Sequence, residues 1–551
     1  MQRFFPSSRP SSCLRLLSWT HSSSGQLFSH STNTERKTIT PSSNTFVDLG
    51  IRPPLAKALY AAFPKVEGPT SIQASLIPAI LTGKDVILQD ETGVGKSFGL
   101  MLALLNKTRL HFKNPENGQL NPQPAITSLL LVPHRDLAFQ YLHWIKRIVD
   151  ASSDHPPPVQ DVAQVLVRDG NKHLSEGSSL LQQTPPHILI ATPASVLDLC
   201  HKEPNALRLE ELSSVVLDDV DFMVETVPLE GRTPAQRRAR KNIELHPGPT
   251  RRLLTSIYGE QRQWPNSENE DEGAFHTPQL IVASATMRRH LKYYFFSETG
   301  LLNKDTVKVR GSVMGLSSNE DMGLHRNITH YVLVASHDSI KNTSAAVAEV
   351  VEDDAAADVS SVEQEEVTEE TTKQPDDAQI EREKKFSMLP SPFNQNALEA
   401  VAATFALDVP SVALLTIPSD ASIHRAVYDL RALGVNAHGM NLLVENQGKS
   451  HLLHGGAEKF RSTPTLLVAT PATIRGIDLP ELSHVFILGV RPLQERATTA
   501  LDTYIHVAGR VGRFGRKGKV VSIVTDEQEA ERMDTILKRL GVETARLKYF
   551  K

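Results

Sequence analysis

Cysteine is nearly absent from this sequence of 551 residues, where only Cys13 and Cys200 occur. Two cysteines so far apart exclude a disulfide framework and any zinc site built from several cysteines, and they fit a reducing compartment. Apolar runs long enough to cross a bilayer are missing as well, which argues against a membrane protein. A strong net charge is also missing, since 59 basic and 63 acidic residues leave a formal charge of −4. Charge alone therefore does not indicate a nucleic-acid partner.

The small net charge hides two segments of opposite sign. Residues 1–45 carry five basic residues, one acidic residue and many serines, and residues 13–19 can form a short amphipathic basic helix. This composition is typical of a mitochondrial transit peptide and lacks the long apolar centre of a secretory signal; an ordinary disordered tail is the alternative. Residues 349–385 carry fourteen acidic and four basic residues and almost no aromatic residue. We expect this acidic insertion to be disordered, because it has too little apolar surface to bury.

Short apolar runs alternate with helix-like stretches in both halves of the chain. In the first half they are residues 86–88, 129–132, 188–191, 215–217 and 280–283, and in the second half residues 412–417, 466–469, 485–488 and 520–524. Continuous apolar strands, unlike alternating ones, are typical of parallel sheets with helices on both faces. We therefore predict two α/β domains, residues 46–325 and 326–526, followed by a C-terminal helix and basic tail, residues 527–551.

The most informative motif lies directly after the first apolar run. Residues 90–97 read Asp-Glu-Thr-Gly-Val-Gly-Lys-Ser and are followed by an apolar, helix-like stretch. Gly93 and Gly95 allow backbone N–H groups to turn toward a phosphate. Lys96 supplies charge to the β- and γ-phosphates, and the Ser97 hydroxyl is a ligand for Mg²⁺. A strand, a glycine-rich loop and a helix in this order predict a site for a nucleoside triphosphate and Mg²⁺.

Such a site also needs a carboxylate at a strand end to hold the metal. The run Val216-Leu217-Asp218-Asp219-Val220-Asp221 offers one directly after an apolar strand. An acidic triplet alone is usually a solvated turn, but its position one strand further along favours a place beside the phosphates. Asp218 is therefore the candidate metal ligand, together with Ser97.

With these residues placed, the sequence resembles the DEAD-box family of superfamily 2 helicases over about residues 46–524. In the first half, Phe46 with residues 68–73 (Gly-Pro-Thr-Ser-Ile-Gln) resembles the Q motif, and the other matches are motif I at 92–97, motif Ia at 133–138, the start of motif Ib at 192–193, motif II at 218–221 and motif III at 284–286. In the second half, residues 469–478 resemble motif V and residues 504–513 resemble motif VI. The resemblance implies two tandem RecA-like domains, each a parallel sheet covered by helices, with ATP and Mg²⁺ between them.

The resemblance also implies roles for individual residues. For the nucleotide these are Phe46 stacking on adenine, Thr70 and Gln73 at the adenine edge, Asp478 at the ribose, and Thr92, Gly93, Val94, Gly95, Lys96 and Ser97 around the phosphates. The catalytic residues are Lys96, Asp218, Asp219, Arg510 and Arg513, and the coupling residues are Ser284, Thr286 and His506. RNA contacts, mainly to phosphates and ribose hydroxyls, fall on Pro133, Arg135, Thr192, Thr470 and Gly476. A three-residue step on a helix puts Arg510 and Arg513 on one face, where both can meet a γ-phosphate across the domain cleft.

Several positions depart from the family pattern. Asp219 replaces the family's glutamate in motif II, which keeps the carboxylate but draws it back by roughly 1.5 Å, one carbon–carbon bond. Since misplacement on the order of 1 Å can cost about 10²-fold in rate, we expect slow ATP hydrolysis rather than none. The other departures are a missing paired-glycine motif and the residues Asp90 in motif I, Ala194-Ser195 in motif Ib, Pro471 in motif V and Val507 in motif VI. Together they indicate a divergent member with weaker or more specialised RNA binding.

The stretch from Thr226 to Thr277 is rich in proline and charge. It is acidic at residues 268–272, and its earlier basic residues are Arg232, Arg237, Arg238, Arg240, Lys241, Arg251 and Arg252. We predict a flexible excursion. Contact of its basic part with RNA and a merely solvated charged loop are equally consistent with the composition.

The departures and the transit-like start resemble the fungal mitochondrial DEAD-box helicases that help assemble the large mitochondrial ribosomal subunit. This resemblance implies a monomer in the mitochondrial matrix, with mitochondrial rRNA and assembly factors as partners and no membrane. Two other functions stay open. An ATP-gated RNA clamp or assembly scaffold with little turnover is favoured by Asp219 and opposed by the intact Lys96, Arg510 and Arg513. A DNA helicase is disfavoured by the Q motif and the transit-like start.

Overall fold

The computed structural model describes most of the chain from residue 45 onward. The described ranges are residues 45–113, 120–168, 174–203, 206–209, 212–227, 233–259, 277–311, 327–347, 384–440, 464–477, 479, 482–489, 497–512 and 517–550. The transit-like segment 1–45, except Thr45, and the acidic insertion 349–385, except its last two residues, lie outside these ranges. No helix within them is long and apolar enough to span a membrane.

The first domain is built on a parallel sheet of seven strands. These are β1 (Val86–Gln89), β4 (Ser128–Leu131), β5 (Ala163–Leu166), β6 (Ile188–Ala191), β7 (Ser214–Asp218), β8 (Gln279–Ser284) and β9 (Val307–Arg310), in the order β5-β6-β4-β7-β8-β1-β9. The short strands β2 (His111–Lys113) and β3 (Leu120–Pro124) form a separate antiparallel pair. All five apolar runs of the first half are strands of the large sheet, which confirms the predicted α/β fold.

Eleven helices accompany these strands in the described part of this domain. They are α1 (Pro53–Ala62), α2 (Ser71–Leu81), α3 (Lys96–Asn106), α4 (Arg135–Asp150), α5 (Val159–Val162), α6 (Leu174–Gln183), α7 (Pro193–Lys202), α8 (Val220–Met223), α9 (Pro234–Leu245), α10 (Pro249–Tyr258) and α11 (Arg289–Tyr293), the last continuing into a π-helical turn, Tyr294–Glu298. Alternate strand residues pack on opposite faces: Leu130 joins the core beneath α1 to α4, whereas Leu129 and Leu131 join the core beneath α7 and α10. Burial on both faces explains why these strands are continuous apolar runs.

The second domain has a sheet of eight strands. These are β10 (Ile328–Ala335), β11 (Ile340–Asn342), β12 (Val412–Thr416), β13 (Ala437–Gly439), β14 (Thr465–Ala469), β15 (Leu482–Leu488), β16 (Gly518–Val524) and β17 (Thr544–Ala545). The order is β11-β10-β16-β15-β12-β14-β13, and β17 lies on the same edge of β10 as β11. Among the described strands of this sheet only β11 pairs antiparallel. Its helices are α12 (Gln395–Asp408), α13 (Ile423–Ala432), α14 (Ala497–Ala508) and α15 (Glu527–Arg539).

The C-terminal segment, predicted as a helix and basic tail, is part of the second domain. Its helix α15 buries Ala530, Met533 and Leu537, and β17 pairs with β10 through the register His330 to Thr544. The Asn342 side-chain amide donates hydrogen bonds to the carbonyls of Leu547 and Phe550, at 3.1 and 2.6 Å. The segment therefore completes the sheet and its core.

The prediction of a flexible excursion between Thr226 and Thr277 is wrong for its described part, which contains the helices α9 and α10. Thr233 and Gln236 cap α9 reciprocally, side chain to backbone in both directions, an arrangement that satisfies two of the free N–H groups at a helix start. Helix α10 buries Leu253 and Leu254 in the core shared with α7. The acidic residues 268–272 lie outside the described ranges.

Outside the motifs, one cluster of charged side chains connects three elements of the second domain. The Lys519 ammonium lies 3.1 Å from both carboxylate oxygens of Asp408, and His484 Nε2 lies 3.1 Å from one of them. Burial alone would raise the pKa of Asp408, but the hydrogen bond and charge of His484 together with Lys519 lower it to about 2.

The Asp408→Asn variant is expected to lower the free energy of unfolding by roughly 1 to 2 kcal/mol at pH 7, after allowance for solvent screening. The folded pKa lies below the unfolded value, so this stabilisation is present above about pH 4 and is lost as the pH falls toward 2. Urea unfolding of the wild type and the variant at pH 7 and pH 3 measures the difference. An equal difference at both pH values would contradict this assignment.

Candidate functional site

The glycine-rich loop between β1 and α3 has the geometry of a phosphate-binding turn. Gly93 and Gly95 adopt positive φ angles of 84° and 94°, a conformation that favours glycine. A Cβ on Gly95 would also lie 2.6 Å from the side-chain nitrogen of Gln73. Helix α3 begins at Lys96, so its free N–H groups and the positive end of its dipole point toward the loop. An anion is the ligand that this arrangement favours.

The Q-motif residues Thr70 and Gln73 hold this loop in place. The Thr70 hydroxyl donates to the carbonyl of Val94 at 2.9 Å, and the Gln73 side-chain amide donates to the carbonyl of Gly95 at 3.1 Å. Gln73 also accepts from the Thr70 N–H at 3.0 Å. These polar groups therefore bind protein backbone here, whereas the resemblance implied the adenine edge for them.

Phe46, expected to stack on adenine, lies in the core of the first domain. Its side chain is fully buried, and its ring packs edge-on against Tyr60 with centroids 6.0 Å apart. In this conformation Phe46 presents no exposed ring face to a nucleotide, so the stacking stays a prediction that requires the ring to leave the core.

Lys96 folds back onto its own loop. Its ammonium donates to the backbone carbonyl of Asp90 at 2.9 Å and to that of Glu91. Burial lowers the pKa of Lys96, although the carboxylates of Asp219 and Asp218 oppose this shift. A buried ammonium held by two neutral carbonyls can exchange them for phosphate oxygens, which satisfy its charge better.

Two consecutive carboxylates lie beside the loop, at the end of β7. Asp218 accepts hydrogen bonds from the Ser97 hydroxyl at 2.6 Å and from the Tyr141 hydroxyl at 2.7 Å. Burial and the adjoining carboxylate of Asp219 raise the pKa of Asp218 to about 6. Enclosed negative charge next to a serine hydroxyl fits Mg²⁺, a hard cation that prefers oxygen ligands. Ser97 and Asp218 are the residues that would hold it.

Asp219 occupies an unusual backbone position. It has φ 58° and ψ 48°, the left-handed region, which aspartate tolerates better than most residues. Its side chain is buried, and within the described residues its Oδ2 atom has no hydrogen-bond partner. A buried carboxylate oxygen without a donor is ready to accept from a water molecule beside the phosphates.

Asp221 joins the two domains. Within its own domain it accepts from the hydroxyls of Ser284 at 2.5 Å and Thr286 at 2.7 Å. From the other domain, His506 Nε2 lies 3.2 Å away and the Arg475 guanidinium 3.6 Å away. Burial alone would raise the pKa of Asp221, but the hydrogen bond and charge of His506 together with Arg475 hold it well below its usual range. The three predicted coupling residues therefore meet at one carboxylate.

Motifs I and VI face each other across the cleft between the domains. The Thr92 hydroxyl donates to the carbonyl of Gly509 at 3.4 Å, and a Cβ on Gly509 would lie only 1.9 Å from that hydroxyl oxygen. Arg510 is buried, its guanidinium donates to the carbonyls of His506 and Ile477, and its charge acts on Lys96. The structure thus brings Lys96 and Arg510 to the same cleft. Arg513 and Asp478 lie outside the described residues.

The predicted RNA contacts lie at the starts of helices and in the motif V turn. Pro133 and Arg135 are half-buried at the start of α4, Thr192 precedes α7 and bonds Ser195 at 2.7 Å, and the Thr470 N–H donates to the Thr473 hydroxyl at 3.1 Å. Gly476 also contacts the first domain: its carbonyl accepts from Gln140 at 3.1 Å, and a Cβ there would lie 2.5 Å from Leu137.

Two further contacts across the cleft escaped the sequence reasoning. His134 Nε2 lies 2.6 Å from the carbonyl of Arg475, and burial lowers the pKa of His134 to about 4. The ring is therefore neutral at pH 7, and its Nε2–H must be the donor. Arg288 and Asp502 form a two-point ion pair, with Nε to Oδ2 at 2.8 Å. Both contacts adjoin motifs, but no local pattern states which distant residues will meet.

Two family models match this chain. The model of the DEAD/DEAH box helicase matches residues 70–293, and that of the helicase conserved C-terminal domain matches residues 454–515. Together they cover a little over half of the chain.

The chain is similar to curated helicases of several organisms. It is 33% identical over 192 residues to the human protein named "Probable ATP-dependent RNA helicase DDX28", an alignment that covers 34% of this chain and 32% of that protein, about a third of each. It is 26% identical over 473 residues to "DEAD-box ATP-dependent RNA helicase 58, chloroplastic" of Arabidopsis thaliana, which covers 84% of this chain and 75% of that protein.

Solved structures show the same fold. The S. cerevisiae protein Dbp5 bound to RNA and ADP BeF3 is 20% identical, with a TM-score of 0.54 over 91% of this chain and 95% of that one. Mss116p bound to ssRNA and AMP-PNP is 17% identical, with a TM-score of 0.57 over 92% and 79%.

The Gly509→Ala variant is expected to reduce the RNA-stimulated ATPase rate on the order of 10²-fold, because its Cβ would push Thr92 and the phosphate loop out of the closed arrangement. The control is Gly434→Ala, whose Cβ meets no atom within 4 Å, so it changes glycine to alanine without a steric contact; its positive φ of 81°, which Gly509 does not share, makes it the more demanding position for the backbone. Steady-state phosphate release and melting temperature are measured for both variants. A wild-type rate in Gly509→Ala would show that this close approach is not part of the active state.

Proposed function

This chain belongs to the DEAD-box family of ATP-dependent RNA helicases, and we propose that it remodels ribosomal RNA in mitochondria during assembly of the large ribosomal subunit. The catalytic part of this proposal rests on one observation: Lys96 of one domain and Arg510 of the other are buried in the same cleft. Two cations that face one phosphate site from opposite domains favour closure of the domains on a triphosphate, whose charge satisfies them better than neutral carbonyls do.

The proposed roles follow from this geometry. Lys96 binds the phosphates, and Arg510, with Arg513, stabilises the charge that develops on the γ-phosphoryl group. Asp219 orients the attacking water through its free carboxylate oxygen. When bound, Mg²⁺ neutralises charge on the β- and γ-phosphate oxygens, and Ser97 and Asp218 position it.

Asp221 transmits the closed state between the cleft and the rest of the molecule. Its carboxylate is shared by Ser284 and Thr286 of the first domain and by His506 of the second. When the cleft opens after hydrolysis, His506 leaves the buried carboxylate of Asp221. Water then has to take the place of His506 as a hydrogen-bond partner of that carboxylate. Such a contact has two discrete arrangements, which is what coupling between ATP and RNA needs.

RNA is proposed to cross both domains, bound by Pro133, Arg135 and Thr192 on the first and by Thr470 and Gly476 on the second. Contacts to phosphate and ribose do not distinguish one base sequence from another. The choice of RNA target therefore comes from the location of the protein and from its partner proteins. The transit-like composition of residues 1–45 supports action of a monomer in the mitochondrial matrix. A relative whose name places it in the chloroplast is consistent with work in an organelle.

A second function is favoured by one observation, the aspartate at position 219. If its shortened carboxylate rarely positions water, the protein would close on RNA and ATP and stay closed as a clamp or assembly scaffold. The intact Lys96 and Arg510 favour the enzyme.

The Asp219→Glu variant distinguishes the two functions. Because glutamate extends the carboxylate by roughly 1.5 Å, RNA-stimulated phosphate release is expected to rise, by up to about 10²-fold. The matched control Asp219→Asn keeps the shape, removes the charge and should abolish turnover. Melting temperatures of both variants report any strain from the left-handed backbone. No gain in Asp219→Glu would contradict the proposed cause of slow hydrolysis, and a wild type without RNA-stimulated turnover would favour the clamp.

Crosslinking of the protein to RNA in purified mitochondria tests the proposed target. Large-subunit rRNA is expected to be enriched over messenger and small-subunit RNA, because the protein would bind it during assembly. The control is Arg135→Ala, which removes one proposed backbone contact and should lower crosslinking to all RNAs alike. Enrichment of another RNA class, or no mitochondrial RNA, would refute the ribosomal role.

A further inference from the structure

Helix α9 presents a cationic face to solvent. Its half-buried residues Gln236, Ala239 and Ile243 recur at intervals of three and four, so they form the face turned toward the protein. The opposite face spans about 160° at 100° per residue and carries four exposed cations, Arg237, Arg238, Arg240 and Lys241.

These four cations have no ion pair or hydrogen bond within the described part of the chain, in contrast to the arginines of the next helix. Arg251 pairs with Glu298 at 2.8 Å and lies 4.1 Å above the ring of Tyr294. Arg252 lies 3.2 Å from His201. The basic residues of this region are therefore of two kinds: the arginines of α10 have side-chain partners, and the cations of α9 have none among the described residues.

The spacing of the α9 cations is unfavourable for the isolated helix. Arg237 lies three residues from Arg240 and four from Lys241, and Arg238 lies three from Lys241. Like charges at these spacings face each other and weaken a helix. Glu244 is the acidic residue on the same side, and it forms no ion pair with them in the structure. A polyanion with closely spaced charges would convert this repulsion into attraction.

The position of α9 along the chain connects it to the proposed RNA path. It leads into α10, which packs against α7, and their side chains share one core. Helix α7 begins directly after Thr192, a proposed RNA contact. Helix α9 therefore lies on the side of the first domain to which Thr192 also belongs, where RNA that extends beyond the cleft would reach it.

We propose that α9 is a second RNA-binding element, which binds the phosphate backbone of RNA outside the cleft through Arg237, Arg238, Arg240 and Lys241. The inference rests on the proposed RNA function and adds an anchor that is independent of ATP. Such binding is independent of base sequence and is weakened by salt, because each neutralised phosphate releases counterions. A membrane fits this helix poorly, since its opposite face combines alanine and glutamine with a single large apolar side chain, that of Ile243.

The full-length protein with all four residues changed to Gln tests the proposal. Binding of a 40-nucleotide single-stranded RNA is measured between about 50 and 300 mM salt, alongside a 10-nucleotide RNA that fills the cleft alone. Loss of four phosphate contacts, at about 0.7 each for single strands, should lower the slope of log Kd against log salt by about 3 for the long RNA. Affinity for the long RNA at low salt should fall at least tenfold, and affinity for the short RNA should not change.

Three comparisons make the outcome decisive. A matched control changes four exposed lysines of the same domain, Lys57, Lys65, Lys84 and Lys304, to Gln and should leave the slope unaltered. The variant R237K/R238K/R240K keeps the charge and should bind as the wild type does. Long-RNA binding equal to that of the matched control would overturn the proposal and point to a protein partner or a solvated face. RNA-stimulated ATPase in every variant upholds the proposed function separately. Its absence in the wild type would refute the helicase function, whereas the salt dependence of long-RNA binding alone decides the role of α9.

Discussion

The closed arrangement depends on one buried charge, the carboxylate of Asp221. A carboxylate removed from water is stable only if donors surround it, and its own domain supplies two hydroxyls, those of Ser284 and Thr286. The remaining compensation comes from His506 and Arg475 of the second domain. Because half of the compensation lies across the cleft, domain closure and the state of motifs II and III cannot change independently.

The cleft also balances charges of opposite sign around the phosphate-binding loop. The carboxylates of Asp218 and Asp219 oppose the cations of Lys96 and Arg510, all of them buried. Neutral groups complete the boundary: Thr70 and Gln73 fix the loop backbone, and the uncharged ring of His134 crosses to the second domain. A fixed backbone and fixed dipoles need little rearrangement when charge moves during reaction, which is the condition for electrostatic stabilisation.

The sequence predicted the fold where burial alone decides it. The run 129–132 has to be a strand covered on both faces, and β4 is one. In contrast, Gln164 interrupts the apolar residues of Ala163–Leu166, so β5 lacks a continuous apolar signal. Strand β10 carries such a run only in its second half, Val332 to Ala335, after the polar residues Thr329 and His330. The composition of α9 predicts a loop because it has few apolar residues to bury, whereas its capping box at Thr233 and Gln236 is the local signal that indicates a helix. Contacts such as that of Arg288 with Asp502 depend on where the chain returns 214 positions later, which no local pattern encodes.

The topology of the second sheet has a kinetic consequence. β10 pairs with β16, nearly 200 residues later, and with β17 beyond it. Loop closure over such distances is slow, and strands wait unpaired until their partners are available. During synthesis the first domain can fold once residue 310 has emerged. In the second domain β10 can pair early with β11, but its edge toward β16 and its pairing with β17 have to wait until those strands are made. Nascent chains stalled in this interval would present an apolar strand edge, so the second domain is where a chaperone would be needed.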